Sequence, residues 1–410
     1  MQITRQTLDD FIETSDKLGG PDHPDTLSYW RDILYVPTTQ IDTSLDPDSI
    51  QYFRQMEQLY EEISSRTLDQ QKNELTHLDV EALVNKESPY AFSPPTERTK
   101  HYLRLAKAIA SAEFESGAHI LDMGCGWGLS SEFLAQLGFK VTAVDINPLF
   151  ASLVRQRAAR LKYDIEVREA SFDSFTDTAE NYDAIVFYES LHHATSPRTL
   201  LMKASAWLKP NGKLVLAGEP IQALYWPNWG LRLDPLSVYC IRKFGWFESG
   251  WSKRYLCRTI AASGLLPIVY EHPDTNIGTY VLGKRSWRLV AAELWTMAHQ
   301  TDWWLEADHL VSNKAERNSK LTLDAPAGCN EIHFEIWHFG EHPIELSLTM
   351  GDQNAIFILR SGENTCVISD LPMSRNFTAS FNCASWCPKT SLGTTDERLL
   401  GFHLKSLTFR

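Results

Sequence analysis

The sequence lacks the long apolar run that a membrane-spanning helix needs, since no stretch approaches roughly 18 uninterrupted apolar residues. The start of the chain carries Asp9 and Asp10 and no apolar segment, so a secretory signal is not indicated either. We therefore expect a soluble, cytoplasmic protein with no membrane span.

Positive charge is also in short supply, and no block of Lys and Arg stands out along the chain. The sequence has 39 Lys and Arg residues against 52 Asp and Glu residues, which gives a formal net charge of −13. A polyanionic partner would have to bind against that overall field. We therefore expect no nucleic-acid partner, although a small anionic ligand is compatible with this charge balance.

Cysteine is scarce, with seven residues scattered over the chain and no C-x-x-C unit. Cys383 and Cys387 lie four positions apart, but no second His or Cys pair completes a zinc site. His192 and His193 are adjacent, and we expect their rings to point in different directions. The sequence therefore predicts free thiols and no metal site.

The composition is that of a folded chain, with 43% hydrophobic and 11% aromatic residues. At about 150 residues per domain the length suggests two or three domains. Helical spacing of apolar residues over 49–63 predicts a helical N-terminal cap over 1–112, and alternating strands and helices predict an α/β domain over 113–286. An aromatic helix predicts a helical linker over 287–310, and short alternating segments predict a β-sandwich over 311–410.

A glycine-rich loop follows the first strand of the α/β domain, which ends in Asp122. Glycines at every second position let the backbone approach a ligand without an obstructing Cβ atom, and their spacing differs from the GxGxxG of dinucleotide sites. About twenty residues further on, Asp145 ends the second strand, where a carboxylate can bind both ribose hydroxyls. The loop consists of Gly124, Cys125, Gly126, Trp127 and Gly128.

These residues resemble motif I and the acidic end of the second strand in class I methyltransferases that use S-adenosyl-L-methionine (SAM). Residues 181–186 and 208–215 are similar to the fourth and fifth strands of that family. The resemblance implies a Rossmann-like methyltransferase domain over 113–286 with SAM as its cofactor. The alternative is a doubly wound domain that binds another nucleotide or no nucleotide.

The resemblance also implies which residues contact SAM. The loop glycines and Asp122 would surround the methionine portion, and Asp145 would hold the ribose. Ile146 would lie on one side of the adenine, with Ser171 and Phe172 on the other. The implied cofactor-binding set is Asp122, Gly124, Cys125, Gly126, Gly128, Asp145, Ile146, Ser171 and Phe172.

Histidines and carboxylates follow the fourth and fifth strands, whose carboxyl ends lie at the ligand-binding edge of an open α/β sheet. His193 is the candidate general base, because imidazole titrates near neutrality and its place resembles that of a base in some sugar O-methyltransferases. It could instead only pack or hydrogen-bond, which is what we expect of His192. Glu189 could hold the methionine amino group or the acceptor, and Glu219 could orient an acceptor hydroxyl. Both could equally be solvated carboxylates at helix starts.

An aromatic insertion over 225–251 suits stacking against a sugar ring, although its tryptophans could instead fill a small core of their own. Near the C-terminus, residues 396–401 resemble part of a small β-domain appended to many bacterial enzymes of surface-polysaccharide assembly. That resemblance implies docking to a glycan or to glycan-assembly enzymes. Taken alone, the residues predict only an ion pair between Asp396 and Arg398 that stabilises a turn.

The sequence therefore favours a SAM-dependent methyltransferase that acts on a sugar hydroxyl in a bacterial glycan or its nucleotide-linked precursor. Its partner would be a carbohydrate or nucleotide-sugar acceptor. One alternative is a lipid-modifying enzyme, because the glycine loop also looks like that of cyclopropane fatty-acid synthases. The other is a non-catalytic component that binds SAM or a glycan within an assembly complex.

Overall fold

The computed structural model describes residues 2–21, 23–221, 225–298, 302–313, 319–371, 376–385, 394–395, 398 and 400–410. The chain forms two compact units. The first unit comprises Met1–Leu256 and His272–Val281, and the second comprises Cys257–Glu271 and Leu282–Arg410. Among the described residues, no helix is both long enough and apolar enough to cross a membrane.

The N-terminal segment is mostly helical and belongs to the first unit rather than forming a unit of its own. Hydroxyls on its third helix reach far along the chain: Tyr52 donates to the Trp229 carbonyl at 2.5 Å, and Tyr60 donates to the Gly245 carbonyl at 2.6 Å. The segment therefore packs on the aromatic insertion. Its elements are β1 Gln2–Ile3, α1 Leu8–Lys17, α2 Pro24–Tyr29, β2 Leu34–Tyr35, α3 Ile50–Ser64, α4 Gln70–Asn73, α5 Val80–Val84 and α6 Pro95–Ala112.

The centre of the first unit is the Rossmann-like arrangement of parallel strands and helices that the alternation predicts. The elements are β3 His119–Met123, α7 Leu129–Gln136, β4 Lys140–Asp145, α8 Pro148–Leu161, β5 Ile165–Glu169, β6 Tyr182–Tyr188, a 3-10 turn Leu191–His193, α9 Pro197–Trp207 and β7 Leu208–Ala217. The strand order is β7-β6-β3-β4-β5, and every pair in this series is parallel.

This strand order indicates which edge of the sheet binds a ligand. From β3 the chain moves outward to β4 and β5, then returns to place β6 on the other side of β3. Open α/β sheets bind ligands beyond the carboxyl ends of the strands at such a reversal. Asp122 pairs with Ala143 of β4 and with Val186 of β6, so the ends of these three strands share one edge.

The insertion after β7 forms a small antiparallel pair around a helix. Asp234 caps the helix, because its carboxylate accepts the Ser237 backbone N–H at 3.1 Å. The elements are β8 Trp229–Leu231, α10 Pro235–Lys243, β9 Ser249–Trp251 and then α11 Lys253–Ala262. They are followed by β10 Leu266–Glu271 and β11 Thr279–Lys284.

The second unit contains two antiparallel sheets with orders β13-β14-β21-β16-β19 and β15-β20-β17-β18. Phe381 of the second sheet lies 5.4 to 5.6 Å from the rings of Trp303, Phe334 and Phe402 in the first. The sheets therefore face each other across an aromatic core. The strands are β13 Trp303–Glu306, β14 His309–Asn313, β15 Ser319–Asp324, β16 Glu331–His338, β17 Ile344–Met350, β18 Gln353–Leu359, β19 Gly362–Ser369, β20 Asn376–Cys383 and β21 Leu400–Phe409.

The expected helical linker over 287–310 is only partly helical. A helix, α12, occupies Ala291–Met297, whereas Arg288–Val290 forms strand β12 paired with β21, and β13 follows the helix. Glu293 begins the helix by accepting the Val290 backbone N–H at 2.9 Å. At Arg288–Val290 the backbone hydrogen bonds with β21 thus outweigh the helical conformation that the spacing of the aromatic residues predicts. Cys387 and Asp396 lie outside the described residues, and Arg398 contacts Glu306 at 2.5 Å.

Candidate functional site

The glycine loop turns sharply after β3 and opens onto a cavity. The Gly124 and Cys125 N–H groups donate to the Val144 carbonyl at 2.8 and 3.0 Å, which ties the loop to β4. A Cβ atom on Gly124 would lie 2.6 Å from Ser190 Cβ, so only glycine fits there. A Cβ atom on Gly126 would have open space around it. Gly124, Cys125 and Gly126 line the cavity.

Asp122 and Gly128 do not line the cavity, which changes the roles expected of them. The Asp122 side chain is fully buried and accepts the hydroxyls of Ser130 and Ser131 at 2.7 and 2.5 Å. Burial raises the pKa of Asp122 to about 6, against the lowering effect of these hydroxyls. Its other carboxylate oxygen, Oδ1, has no hydrogen-bond partner among the described residues. In this position Asp122 fixes the start of α7 and makes no direct contact with the cavity.

Asp145 stands at the cavity wall, as expected. Its carboxylate accepts the Gly126 N–H at 2.8 Å and the Asn147 N–H at 2.9 Å, which aims it across the loop. Burial raises its pKa to about 6, and the two backbone donors oppose that rise. The residues predicted to lie near the adenine also line this cavity: Ile146, Ser171 and Phe172.

The cavity has a volume of about 440 Å³ and runs from the glycine loop to the ends of β6 and β7. That volume is within the range of small-molecule sites, about 300 to 1,000 Å³. Beyond the loop its wall is rich in polar and ionisable side chains: Gln70, Glu74, His101, Glu189, His192, His193, Arg232 and Glu248. Aromatic side chains complete that end: Tyr90, Trp127, Tyr188 and Trp246.

Glu219 does not reach the cavity, so the expected contact with an acceptor hydroxyl gives way to a positioning role. One oxygen accepts the backbone N–H groups of Ser190 and Leu191 at 2.9 Å. The other accepts the His192 backbone N–H at 3.1 Å and lies 3.0 Å from His192 Nδ1. Glu219 thus holds the turn after β6 and orients the His192 ring, leaving Nε2 toward Glu248 at 3.6 Å.

His193 lines the cavity beside Trp246, whose ring meets it edge-on at 6.0 Å. Burial acts to lower the pKa of His193, but Glu74, Glu248 and Glu219 together raise it to about 9. This direction favours the protonated ring, whereas titration near neutrality was expected of His193. A protonated imidazole must first lose that proton before it can act as a base.

The expectation that the rings of His192 and His193 point apart is wrong. Their centroids lie 4.4 Å apart with an interplanar angle of 35°. Because the turn Leu191–His193 is a 3-10 helix held by Glu219, both rings face the same end of the cavity.

Glu189 lies at the cavity in a strained conformation, with a φ of 51°. Its carboxylate forms an ion pair with Arg104 and lies 3.4 Å from His101 Nδ1. Burial acts to raise the pKa of Glu189, but His101 and Arg104 outweigh it and hold the pKa below its usual value. The ionised Glu189 carboxylate is therefore better suited to bind the methionine ammonium group of SAM than to act as a general base.

Several cavity residues were not expected from the sequence. His101 lines the cavity, and Arg104, which pairs with the cavity residue Glu189, lies three positions further along α6. This spacing places both side chains on one helix face and could have signalled them. Glu74 and Gln70 come from α4 and its end, a short segment without a motif. The Glu74 carboxylate accepts the Phe247 backbone N–H at 2.9 Å, so the fold alone brings it to the site.

The donor set fits SAM. The loop leaves backbone open to the cavity at Gly126, Asp145 offers a carboxylate near it, and Glu189 offers a second anion further along. An adenosine portion would lie between Ile146 and Phe172, and a sulfonium would lie toward the histidines. The pyrophosphate of a dinucleotide would instead face three carboxylates, at Asp145, Glu189 and Glu74, which would repel it.

The sequence family that matches this chain is described as "Methyltransferase domain", and it matches residues 120–212. A ubiquinone biosynthesis O-methyltransferase of Xanthomonas axonopodis pv. citri (strain 306) is 36% identical over 109 residues, which is 26% of this chain and 46% of that protein. A protein of the same name from Coxiella burnetii (strain Dugway 5J108-111) is 35% identical over 98 residues, or 24% and 42%. The chain thus spans less than half the length of these curated relatives.

Among solved structures, a SAM-dependent methyltransferase from Aquifex aeolicus covers 51% of this chain and 98% of its own at 14% identity. Its TM-score of 0.37 is too low to support any assignment. The family match therefore shows that residues 120–212 are similar to a methyltransferase domain.

Proposed function

We propose that the whole chain is a SAM-dependent methyltransferase that methylates a hydroxyl oxygen, with a sugar of a glycan or of a nucleotide-linked precursor as the acceptor. One observation carries this proposal. A continuous cavity joins the glycine loop and Asp145 to a polar end that holds three imidazoles and several carboxylates. Cofactor and acceptor can therefore meet in one space, as methyl transfer requires.

SAM, when bound, supplies an electrophilic methyl group on a sulfonium. The chain's own part is to hold the cofactor, to aim the acceptor and to take up the acceptor's proton. Asp145 would bind the ribose hydroxyls, and the backbone of Gly124 and Gly126 would contact the methionine portion. His193, in its deprotonated form, is the predicted base for the acceptor's proton, and Glu219 would act on the reaction only by fixing His192.

The lining of the far end supports a hydroxyl-rich acceptor. Arg232, Glu74 and Glu248 can hydrogen-bond to several hydroxyls, and Trp246 presents a ring for stacking. A lipid acceptor would place aliphatic carbon against these charged groups and leave them without water or partners. The relatives named O-methyltransferases also support oxygen as the methylated atom, although their name concerns ubiquinone biosynthesis.

Label transfer from methyl-radioactive SAM tests this proposal. We expect label in oligosaccharide or nucleotide-sugar fractions, and little in phospholipid. Label in the lipid fraction would favour the lipid-modifying alternative, and label in a phenolic quinone precursor would favour the activity named for the relatives. SAM binding without any transfer would leave the non-catalytic alternative.

Two matched variants divide binding from turnover. Asp145→Asn should weaken SAM binding by about 10- to 100-fold, because hydrogen bonds to a charged group contribute roughly 1.5 to 3 kcal/mol. His193→Gln should lower turnover while SAM binding remains. Asp164→Asn and His119→Gln are the controls, since neither residue lines the cavity.

The second unit is proposed to dock a glycan or a glycan-assembly enzyme. The sequence resemblance over residues 396–401 supports this role. The polar cavity of the first unit does not depend on it.

A further inference from the structure

We propose that His192, His193 and Glu248 bind a divalent transition-metal ion, best fitted by Zn²⁺, at the acceptor end of the cavity. One ligand atom from each of these side chains lies within 4.8 Å of the others. All three side chains line the cavity. Two imidazoles with one carboxylate, plus an open position for water or substrate, form a ligand set of catalytic zinc sites.

The distances are close to those of a bound ion. Zn²⁺ ligands at about 2.1 Å from the metal in tetrahedral geometry lie roughly 3.4 Å from one another. His192 Nε2 and Glu248 Oε2 are already 3.6 Å apart. The ligand atom of His193 lies within 4.8 Å of the other two, so a small side-chain movement would complete the set.

Glu219 contacts the ring nitrogen of His192 that would not bind the ion. Metal-bound imidazoles commonly donate their second ring N–H to a carboxylate, which fixes the tautomer and the ring orientation. Glu219 lies 3.0 Å from His192 Nδ1, and its side chain is fully buried. A neutral His192 that donates its Nδ1–H to Glu219 would have Nε2, 3.6 Å from Glu248 Oε2, as the nitrogen that binds the ion.

The charge around the cluster also favours a cation. Glu74 Oε2 lies 3.4 Å from His193 Nδ1, and with Glu219 and Glu248 it makes three carboxylates around two imidazoles. Arg232, the nearby arginine of the cavity wall, is already paired with Asp234 at 2.8 Å. A divalent ion would offset part of the negative charge of these three carboxylates.

The site deepens the proposed function and rests on it for its chemical role. An acceptor hydroxyl bound to the ion would lose its proton to water, because a Lewis acid lowers the pKa of a bound hydroxyl. The resulting oxygen anion forms a bond to the methyl carbon, the carbon–sulfur bond breaks, and the electron pair stays on sulfur. His193 would then act as a ligand, and the ion would take over the task assigned to a free base.

Metal binding can be measured without activity. Titration of the full-length protein with Zn²⁺, and the visible spectrum after loading with Co²⁺, should both give one ion per chain. His193→Gln and Glu248→Gln should each abolish the Co²⁺ spectrum, and Glu219→Gln should weaken Zn²⁺ binding by about 10- to 100-fold. His119→Gln removes a histidine of the same unit outside the cavity and should bind Zn²⁺ like the unchanged protein.

SAM titration of each variant shows whether the fold survives, because the cofactor end of the cavity is left unchanged. Absence of Zn²⁺ and Co²⁺ binding to the unchanged protein at millimolar concentration would overturn the site. So would Co²⁺ spectra that are the same in His193→Gln, Glu248→Gln and the unchanged protein. Metal binding with no methyl transfer to any acceptor would overturn the proposed function instead and leave the metal site standing.

Discussion

The two units bury their ionisable groups differently. Among its described residues the first unit buries six carboxylates, two of which, Asp145 and Glu248, line the cavity; the others are Glu62, Asp122, Glu132 and Glu219. Among the described residues of the second unit, the buried polar side chains are hydroxyls and the imidazoles of His338 and His403, with no buried carboxylate. Burying charge costs free energy unless it is paired, so its concentration in one unit marks where chemistry takes place.

We expect the largest effect from a side chain added to the glycine loop of the first unit. Gly124→Ala would place a Cβ atom 2.6 Å from Ser190 Cβ at a φ of 75°, so SAM binding should fall below detection. Gly138→Ala has a similar φ of 85° but meets no atom within 4 Å. Calorimetric titration of both variants separates the clash from the strain. Equal SAM affinity in the two would contradict the role given to the loop.

The matching test in the second unit is the truncation of one buried aromatic side chain. Phe381 is 1% exposed and contacts three aromatic rings, so Phe381→Ala should destabilise the protein by about 3 to 5 kcal/mol. Affinity for SAM should stay unchanged while the protein is folded. Ile358→Ala, at a position 60% exposed in the same unit, should change stability little. Denaturant unfolding measures both, and equal losses would contradict the aromatic core.

A smaller effect concerns pH and Asp122. Its folded pKa of about 6 lies above the ordinary value of 3.8, so the folded protein holds this proton more tightly than the unfolded chain. The contribution of Asp122 to stability is therefore fully present below about pH 4 and is lost as pH rises through about 6, by at most about 3 kcal/mol. Asp122→Asn should accordingly gain stability relative to the unchanged protein at pH 8 and gain none at pH 4.

Urea unfolding of both proteins without SAM, at the two pH values, checks that prediction. Asp173→Asn, at an exposed position, is the control and should change the free energy of unfolding by the same small amount at both pH values. A gain for Asp122→Asn that is no larger at pH 8 than at pH 4 would show that burial does not raise the Asp122 pKa.

The cofactor end of the site could be predicted because its signals are local in the sequence. The loop over 124–128, Asp145 and Ser171 each follow a strand directly, and parallel strands bring their ends to one edge. Glu74 could not be found in this way, because it follows a short helix with no motif and is held at the site by contacts with the distant residues Phe247 and His193. The facing rings of His192 and His193 were also missed, since they depend on how Glu219 holds a 3-10 turn.

The central claim is that the cavity edge of the first unit binds SAM. Calorimetric titration of the full-length protein with SAM and with S-adenosylhomocysteine measures this directly. We predict one site per chain for both ligands, with binding lost in Gly124→Ala and retained in Gly138→Ala. Failure of both ligands to bind the folded protein at millimolar concentration would contradict the account.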